Sequence, residues 1–229
     1  MAGQNRALKR ALERSLELYR YDETLRRSHR YIAGVDEVGR GPMAGPVVAA
    51  AVILPPEPVI PGLDDSKKLA PKKRERLFHL ILDSCVAFGI GMRSSRFVDE
   101  KGIAEATQSA MRMAVLSLSL RGFTPDLVLV DGYPVKGLSY PQEALIRGDS
   151  TSASVASASI IAKVTRDRIM ERFEKLYPGY GFHEHKGYCT ASHRSIIRSL
   201  GPCPIHRRSF APVSAEVHNS FEDFESHRT

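Results

Sequence analysis

The stretch YIAGVDEVGRG, residues 31–41, places two adjacent carboxylates, Asp36 and Glu37, after an apolar run and before a glycine-arginine-glycine turn. Tyr31, Ile32 and Ala33 read as a buried strand, and the apolar residues 47–54 read as a second one. The acids therefore stand at a strand-turn-strand junction. Ionised carboxylates beside a core must be hydrogen-bonded, paired with cations or bound to metal. Gly39 and Gly41 let a ligand approach the intervening backbone closely. The pattern points to a metal site facing a phosphate.

Downstream of this junction, residues 55–61 are proline-rich and read as a loop, and Asp64, Asp65, Ser66, Lys67 and Lys68 lead into a helix with Pro71 in its first turn. Leu77, Leu80 and Ile81 form the expected buried face. Residues 85–92 read as a strand, and residues 98–120 as a long helix despite Gly102. A further strand at 126–130 ends on Asp131-Gly132, and Ala144-Leu145-Ile146 ends on Arg147-Gly148-Asp149. Residues 155–176 are helical in pattern, 178–188 form a glycine-rich loop, and 190–200 form a short helix stopped by Gly201-Pro202. The order is mixed α/β. Leu8, Leu12, Leu16 and Tyr19 give residues 5–28 an amphipathic helical pattern. The expected organisation is an accessory N-terminal helical extension over 1–29 and a catalytic domain over 30–211 that includes the helix-loop region after 177. A C-terminal helix or tail over 212–229 completes it.

With 229 residues, 42% hydrophobic and 26% charged, the chain has an ordinary soluble globular composition. Its apolar runs fall short of the roughly 20 residues that a membrane span needs. Acids among the N-terminal leucines exclude the uncharged core of a signal peptide. The expectation is a cytoplasmic monomer with no membrane partner. Cys85, Cys189 and Cys203 are odd in number and lack CxxC spacing, so they read as reduced packing thiols. A net charge of +7 favours a polyanionic partner. The positives gather at Lys67-Lys68, at Lys72-Lys73-Arg74 with Arg76, and at Arg207-Arg208; a solvated helix face explains the 72–76 group equally well.

Asp36, Glu37, Asp131 and Asp149 all fall at or just after expected strand ends, where a sheet can gather residues distant in sequence. Hard oxygen donors suit Mg2+ or Mn2+, and two such ions roughly 4 Å apart can serve phosphodiester cleavage. Neighbours on a regular strand point to opposite faces, so Asp36 and Glu37 share one site only if the strand ends at Glu37. Taken singly, each Asp-Gly or Gly-Asp is also an ordinary turn signal.

Five segments, GVDEVGRGPMAGPVVAAAVIL, DDSKKL, LVLVDG, RGDSTSASVASASIIAKVTRDR and HEHKGY, occur in an order and approximate spacing that resemble bacterial ribonuclease HII over residues 31–211. The resemblance implies an α/β RNase H-like fold: a mixed central β-sheet flanked by helices, with a C-terminal helical extension. It also implies Mg2+- or Mn2+-dependent cleavage of RNA in RNA/DNA hybrids and incision 5' to ribonucleotides embedded in duplex DNA, leaving 3'-hydroxyl and 5'-phosphate ends. Another RNase H-like DNA nuclease and a non-catalytic hybrid-binding protein are the alternatives.

Carried across by position, Asp36, Glu37, Asp131 and Asp149 match the family's four metal-binding catalytic acids. Asp167 competes for the last place, but its helical setting beside Lys163, Arg166 and Arg168 favours an ion-pair role. Gly39, Arg40 and Gly41 match the turn that contacts the ribonucleotide and its 2'-hydroxyl. Tyr188 matches the tyrosine stacked on the following deoxyribose. Ser66, Lys67, Lys163, His183 and Lys186 match or neighbour polar positions able to contact phosphates. His183-Glu184-His185 reads as a polar loop rather than a zinc site, since two histidines without a third ligand fall short of one.

Overall fold

The computed structural model describes residues 2–211 and 213–215. The elements in order are α1 (Ala2–Arg26), β1 (Ile32–Val38), β2 (Val47–Ile53), α2 (Pro71–Ser84), β3 (Ala87–Arg93), α3 (Ser95–Ser119), β4 (Leu127–Asp131), β5 (Gln142–Leu145), α4 (Ala153–Leu176), α5 (Phe182–His185) and α6 (Ala191–Leu200). Single 3-10 turns at Ser66–Lys68 and Gly148–Ser150 precede α2 and α4. The residues fall into two compact units. The first comprises Met1–Val38, Val48–Met92 and Gln108–Val164; the second comprises Gly39–Val47, Arg93–Thr107 and Thr165–Thr229, each within its described residues.

The first unit is built on a five-stranded mixed sheet of order β3-β2-β1-β4-β5. β1 runs antiparallel to β2 and parallel to β4, which is parallel to β5. β2 is buried at all seven positions, as a strand covered on both faces must be. Gly34 explains how closely α4 approaches β1: a Cβ there would collide with the backbone of Ser154 and Val155. The main core gathers Val52, Leu63, Leu77, Ile81 and Ile160. Phe78 joins Leu77 and Ile81 on the buried face of α2, whereas Leu80 is only half-buried.

The N-terminal helix is less of an accessory than its charged sequence suggests. Leu18 and Tyr19 are core residues, and burying one such side chain contributes roughly 1.5–3 kcal/mol. Asp22 is fully buried, where its carboxylate accepts from the Ser154 backbone N–H at 2.9 Å and the Ser154 hydroxyl at 2.7 Å. A carboxylate at the first turn of α4 satisfies donors that the helix itself leaves open. Burial nevertheless pushes the Asp22 carboxyl up.

In the second unit Ala44, Met170, Tyr180, Phe182, Cys203 and Ile205 form a small core, with Tyr180 and Phe182 stacked at 5.4 Å. The glycine-rich segment 178–188 is not all loop, because Phe182–His185 forms one helical turn. Within α3, Gly102 takes φ 80° and ψ 158°, so the expected single long helix is two helical pieces joined at a kink. Thr190 caps α6 by accepting the His193 N–H at 3.2 Å. Of the expected C-terminal helix or tail, 212 and 216–229 lie outside the described residues, while Val213 is buried beside Met43 and Ile197.

Candidate active site

Strand register assembles the acids. β1 and β4 pair as Val35 with Val130, and one further step along that parallel register sets Asp36 beside Asp131. β4 pairs with β5 as Asp131 with Leu145, after which the chain turns and the Gly148 N–H donates to Asp131 Oδ1 at 2.7 Å. The next residue is Asp149. One carboxylate oxygen from each of Asp36, Asp131 and Asp149 lies within 4.8 Å of the others. Carboxylates spread over 113 positions of sequence thus meet.

Glu37 is not part of that group. β1 does not end at Glu37: Asp36 pairs with Ala50, Glu37 with Ala49 and Val38 with Val48. Neighbours on a regular strand project to opposite faces, and the acids whose oxygens gather within 4.8 Å are Asp36, Asp131 and Asp149. Glu37 still acts on Asp36 electrostatically.

The group is strained by its own charge. Burial pushes the Asp36 carboxyl well above the ordinary carboxylate range, and Glu37 and Asp131 add to this. Hydrogen bonds from the Glu37 N–H, at 2.7 Å, and from Ser159 oppose the rise. Asp149 is raised to about 6 by burial, Asp65 and Asp131, with Lys67 pulling the other way. Lys67 Nζ stands 3.9 Å from Asp149 Oδ2. Its own ammonium is opposed by burial but held above its ordinary value by Asp36, Asp149, Asp65 and Asp131. Carboxylates held this way call for a proton or a cation, and hard oxygen donors fit a divalent ion such as Mg2+ or Mn2+. Beside them a cavity of about 610 Å³ is lined by Asp65, Lys67, Lys68, Asp131, Arg147 and Asp149, with exposed Tyr133 and Ile146 on its rim.

Asp65 escaped the sequence reading, although it sits in DDSKKL. Its carboxylate accepts the Lys67 N–H at 2.9 Å, capping the 3-10 turn, and hydrogen-bonds Asp149. Ser66 is buried, with its Oγ 2.7 Å from the Ser159 hydroxyl that hydrogen-bonds Asp36. Lys163 is half-buried on α4.

The remaining candidates belong to the second unit. Arg40 and Gly41 are exposed and Gly39 is buried. Tyr188 is 41% exposed, and its ring centroid lies 5.9 Å from the Arg166 guanidinium carbon. Lys186 Nζ donates to Glu171 Oε1 at 2.8 Å, so its charge is already engaged. His183 is exposed, 3.6 Å from both Glu174 and Glu184. Asp167 is half-buried and outside the acidic group. His185 stacks on His193 at 3.9 Å, and His193 Nε2 lies 3.0 Å from His206 Nε2. Burial lowers all three imidazoles, His193 and His206 to about 4. His193 Nδ1 is 2.9 Å from the Tyr188 carbonyl, which ties the histidines to the tyrosine's backbone.

Comparison with known proteins agrees with this geometry. A ribonuclease HII family profile matches residues 33–213. The chain belongs to the ribonuclease HII family. It is 53% identical over 195 residues to a ribonuclease HII of Geobacter sulfurreducens, covering 85% of this chain and 88% of that one. Identity to a ribonuclease HII of Geobacillus kaustophilus is 54% over 198 residues, covering 86% and 75%. The crystal structure of the ribonuclease H2 from Pyrococcus horikoshii superimposes with a TM-score of 0.70 at 28% identity, covering 82% of this chain and 98% of that one. The chain is accordingly a ribonuclease H, an endoribonuclease of the family that acts on RNA/DNA hybrids, on an α/β RNase H-like fold. Among the described residues no helix is long and apolar enough to cross a membrane.

Proposed function

We propose that the chain incises duplex DNA 5' to an embedded ribonucleotide, leaving 3'-hydroxyl and 5'-phosphate ends, and that Asp36, Asp131 and Asp149 hold the divalent ions this requires. The observation that carries the reading is the meeting of those three acids within 4.8 Å. Mg2+ or Mn2+ bound there would activate the attacking water and stabilise charge on the leaving oxygen, in the manner of two-metal nucleases. The chain's part is to keep the donors fixed. The Gly148 N–H orients Asp131, while the Glu37 N–H and Ser159 orient Asp36. Glu37 completes the family's acidic set in this reading, acting through its field on Asp36.

Gly39, Arg40 and Gly41 are assigned to the ribose 2'-hydroxyl and its phosphate, and Tyr188 to the neighbouring deoxyribose. Exposed Tyr188 and a turn of exposed Arg40 and Gly41 support this. Lys67, largely exposed beside the acids, is the better phosphate contact among the minor candidates. Lys163 and His183 are secondary, and Lys186 must first leave Glu171. The protein is taken to work as a cytoplasmic monomer. A non-catalytic hybrid-binding protein would gain nothing from mutually repelling acids, which cost stability and favour anions' departure.

The test is incubation of the purified protein with a duplex carrying one ribonucleotide, beside an all-DNA duplex, with and without Mg2+. A single Mg2+-dependent cut 5' to the ribonucleotide is expected. Equal cutting of both duplexes would favour a DNA nuclease, and no cutting would favour a binding protein.

A further inference from the structure

Arg166 and Arg207 are both fully buried. Taking a guanidinium out of water costs several kcal/mol unless its donors and charge are answered. Among the described residues, the acceptors are backbone carbonyls. Arg207 donates to the carbonyls of Gly39 and Arg40 (2.8 Å for Arg40), and to Gly45 O through Nε at 3.2 Å and Nη2 at 2.9 Å. Arg166 donates to Pro46 O at 3.0 Å, Ala44 O at 3.0 Å and Lys186 O at 2.9 Å. Burial lowers Arg166 to about 10; burial and the neighbouring Arg166 charge lower Arg207 to about 9. Apolar side chains would fill this volume with less penalty, so the pair needs a reason beyond packing.

That reason lies in the turn. A trans peptide carries its C=O and its N–H on opposite sides. With the Gly39 and Arg40 carbonyls held on Arg207, the N–H groups of Arg40 and Gly41 are turned away from it. The same segment is anchored from behind by Gly45 N–H to Ile205 O at 2.8 Å and Met43 N–H to Gly187 O at 3.0 Å. Gly39 is needed for this fit: it has φ 94°, and a Cβ there would run into the Arg166 side chain and lie 2.6 Å from Pro46 O. We propose that Arg207 is a positioning residue for substrate selection, aiming the Arg40 and Gly41 N–H donors at the ribose 2'-hydroxyl and the adjoining phosphate oxygen. Arg166 does the companion task for the segment carrying Tyr188, through Lys186 O. The inference rests on the turn being the ribose reader.

Arg207→Lys keeps the charge but cannot fork across several carbonyls. On a duplex with one ribonucleotide, the variant should lose about 10- to 100-fold in kcat, as for a misaimed transition-state donor, with KM changed less than about 3-fold. Its preference for ribose over 2'-deoxyribose should fall by a similar factor, while its near-ultraviolet circular dichroism stays that of the wild type. A folded Arg207→Lys protein with wild-type kcat and preference would overturn the proposal. Should that variant fail to fold, amide NMR on the wild-type protein decides: the Arg40 and Gly41 N–H signals should shift more with a ribonucleotide-containing duplex than with its all-DNA counterpart. Equal shifts with both would overturn it. Loss of ribose preference in the wild-type enzyme itself would instead show that the reading of the turn has failed.

Discussion

Asp36, Asp131 and Asp149 in the first unit and Arg166 and Arg207 in the second are both groups of like charge, with Asp131 half-buried and both arginines fully buried, and among the described residues the guanidiniums are the better supplied with hydrogen bonds. Seven hydrogen bonds from the two guanidiniums end on backbone carbonyls. The acids have a few N–H and hydroxyl donors and a distant Lys67, and burial together with neighbouring acids pushes Asp36 and Asp149 up. Satisfied charge fixes a backbone; unsatisfied charge waits for a ligand. The contrast separates scaffold from chemistry without reference to any relative.

The sharpest way to break the contrast is to remove one acid. Asp131→Asn should lower turnover by roughly 10³-fold, the equivalent of about 4 kcal/mol of lost transition-state stabilisation, while hybrid binding measured by fluorescence anisotropy stays within a few-fold. Turnover close to that of the wild type in Mg2+ would remove Asp131 from the chemistry. Next in size, Tyr188→Ala should weaken discrimination at ribonucleotide–deoxyribonucleotide junctions by about 10-fold, the scale of one aromatic contact, with less change in affinity for plain duplex. An unchanged substrate profile would return Tyr188 to a packing role.

The sequence displayed the first group far better than the second. Aspartates that follow apolar runs stand out in the sequence; β4 ends on Asp131, and Asp149 lies in the turn after β5. That β1 runs on past Glu37 is not legible, since it depends on the pairing of Glu37 and Val38 with Ala49 and Val48. Arg166 and Arg207 look like surface charges in VTRDR and HRRSF; nothing local says that most of their partners are carbonyls more than 100 residues away. The helix of residues 2–26 likewise reads as peripheral until Asp22 meets Ser154. Periodicity records which face is apolar, and long-range hydrogen bonds leave no such trace.

Smaller effects concern stability. In the metal-free protein near neutral pH, Asp149→Asn removes a charge that the fold disfavours. Discounted for screening at the open cavity, the melting temperature should rise by roughly 2–4 °C, the worth of about 1 kcal/mol in a chain of this size. No rise would mean that Lys67 already compensates the charge. The pH dependence has two opposing parts. His193 and His206, at about 4, bind fewer protons than their unfolded counterparts near 6.5, so their contribution to stability falls as pH drops from about 6.5 to 4. Asp149, at about 6, binds more protons than when unfolded, so its contribution grows over pH 6 to 4. Asp149→Asn should therefore show a steeper loss of melting temperature on acidification than the wild type. Parallel curves would contradict the contribution assigned to Asp149.

The central claim is that the acidic group is an ion site and the arginine group is not. Thermal melting during a Mn2+ titration tests it directly, because a ligand that binds only the folded state raises the melting temperature saturably. The wild type and Arg207→Lys should both show that rise and Asp131→Asn should lose it; an equal rise in Asp131→Asn, or none in the wild type, would contradict the account.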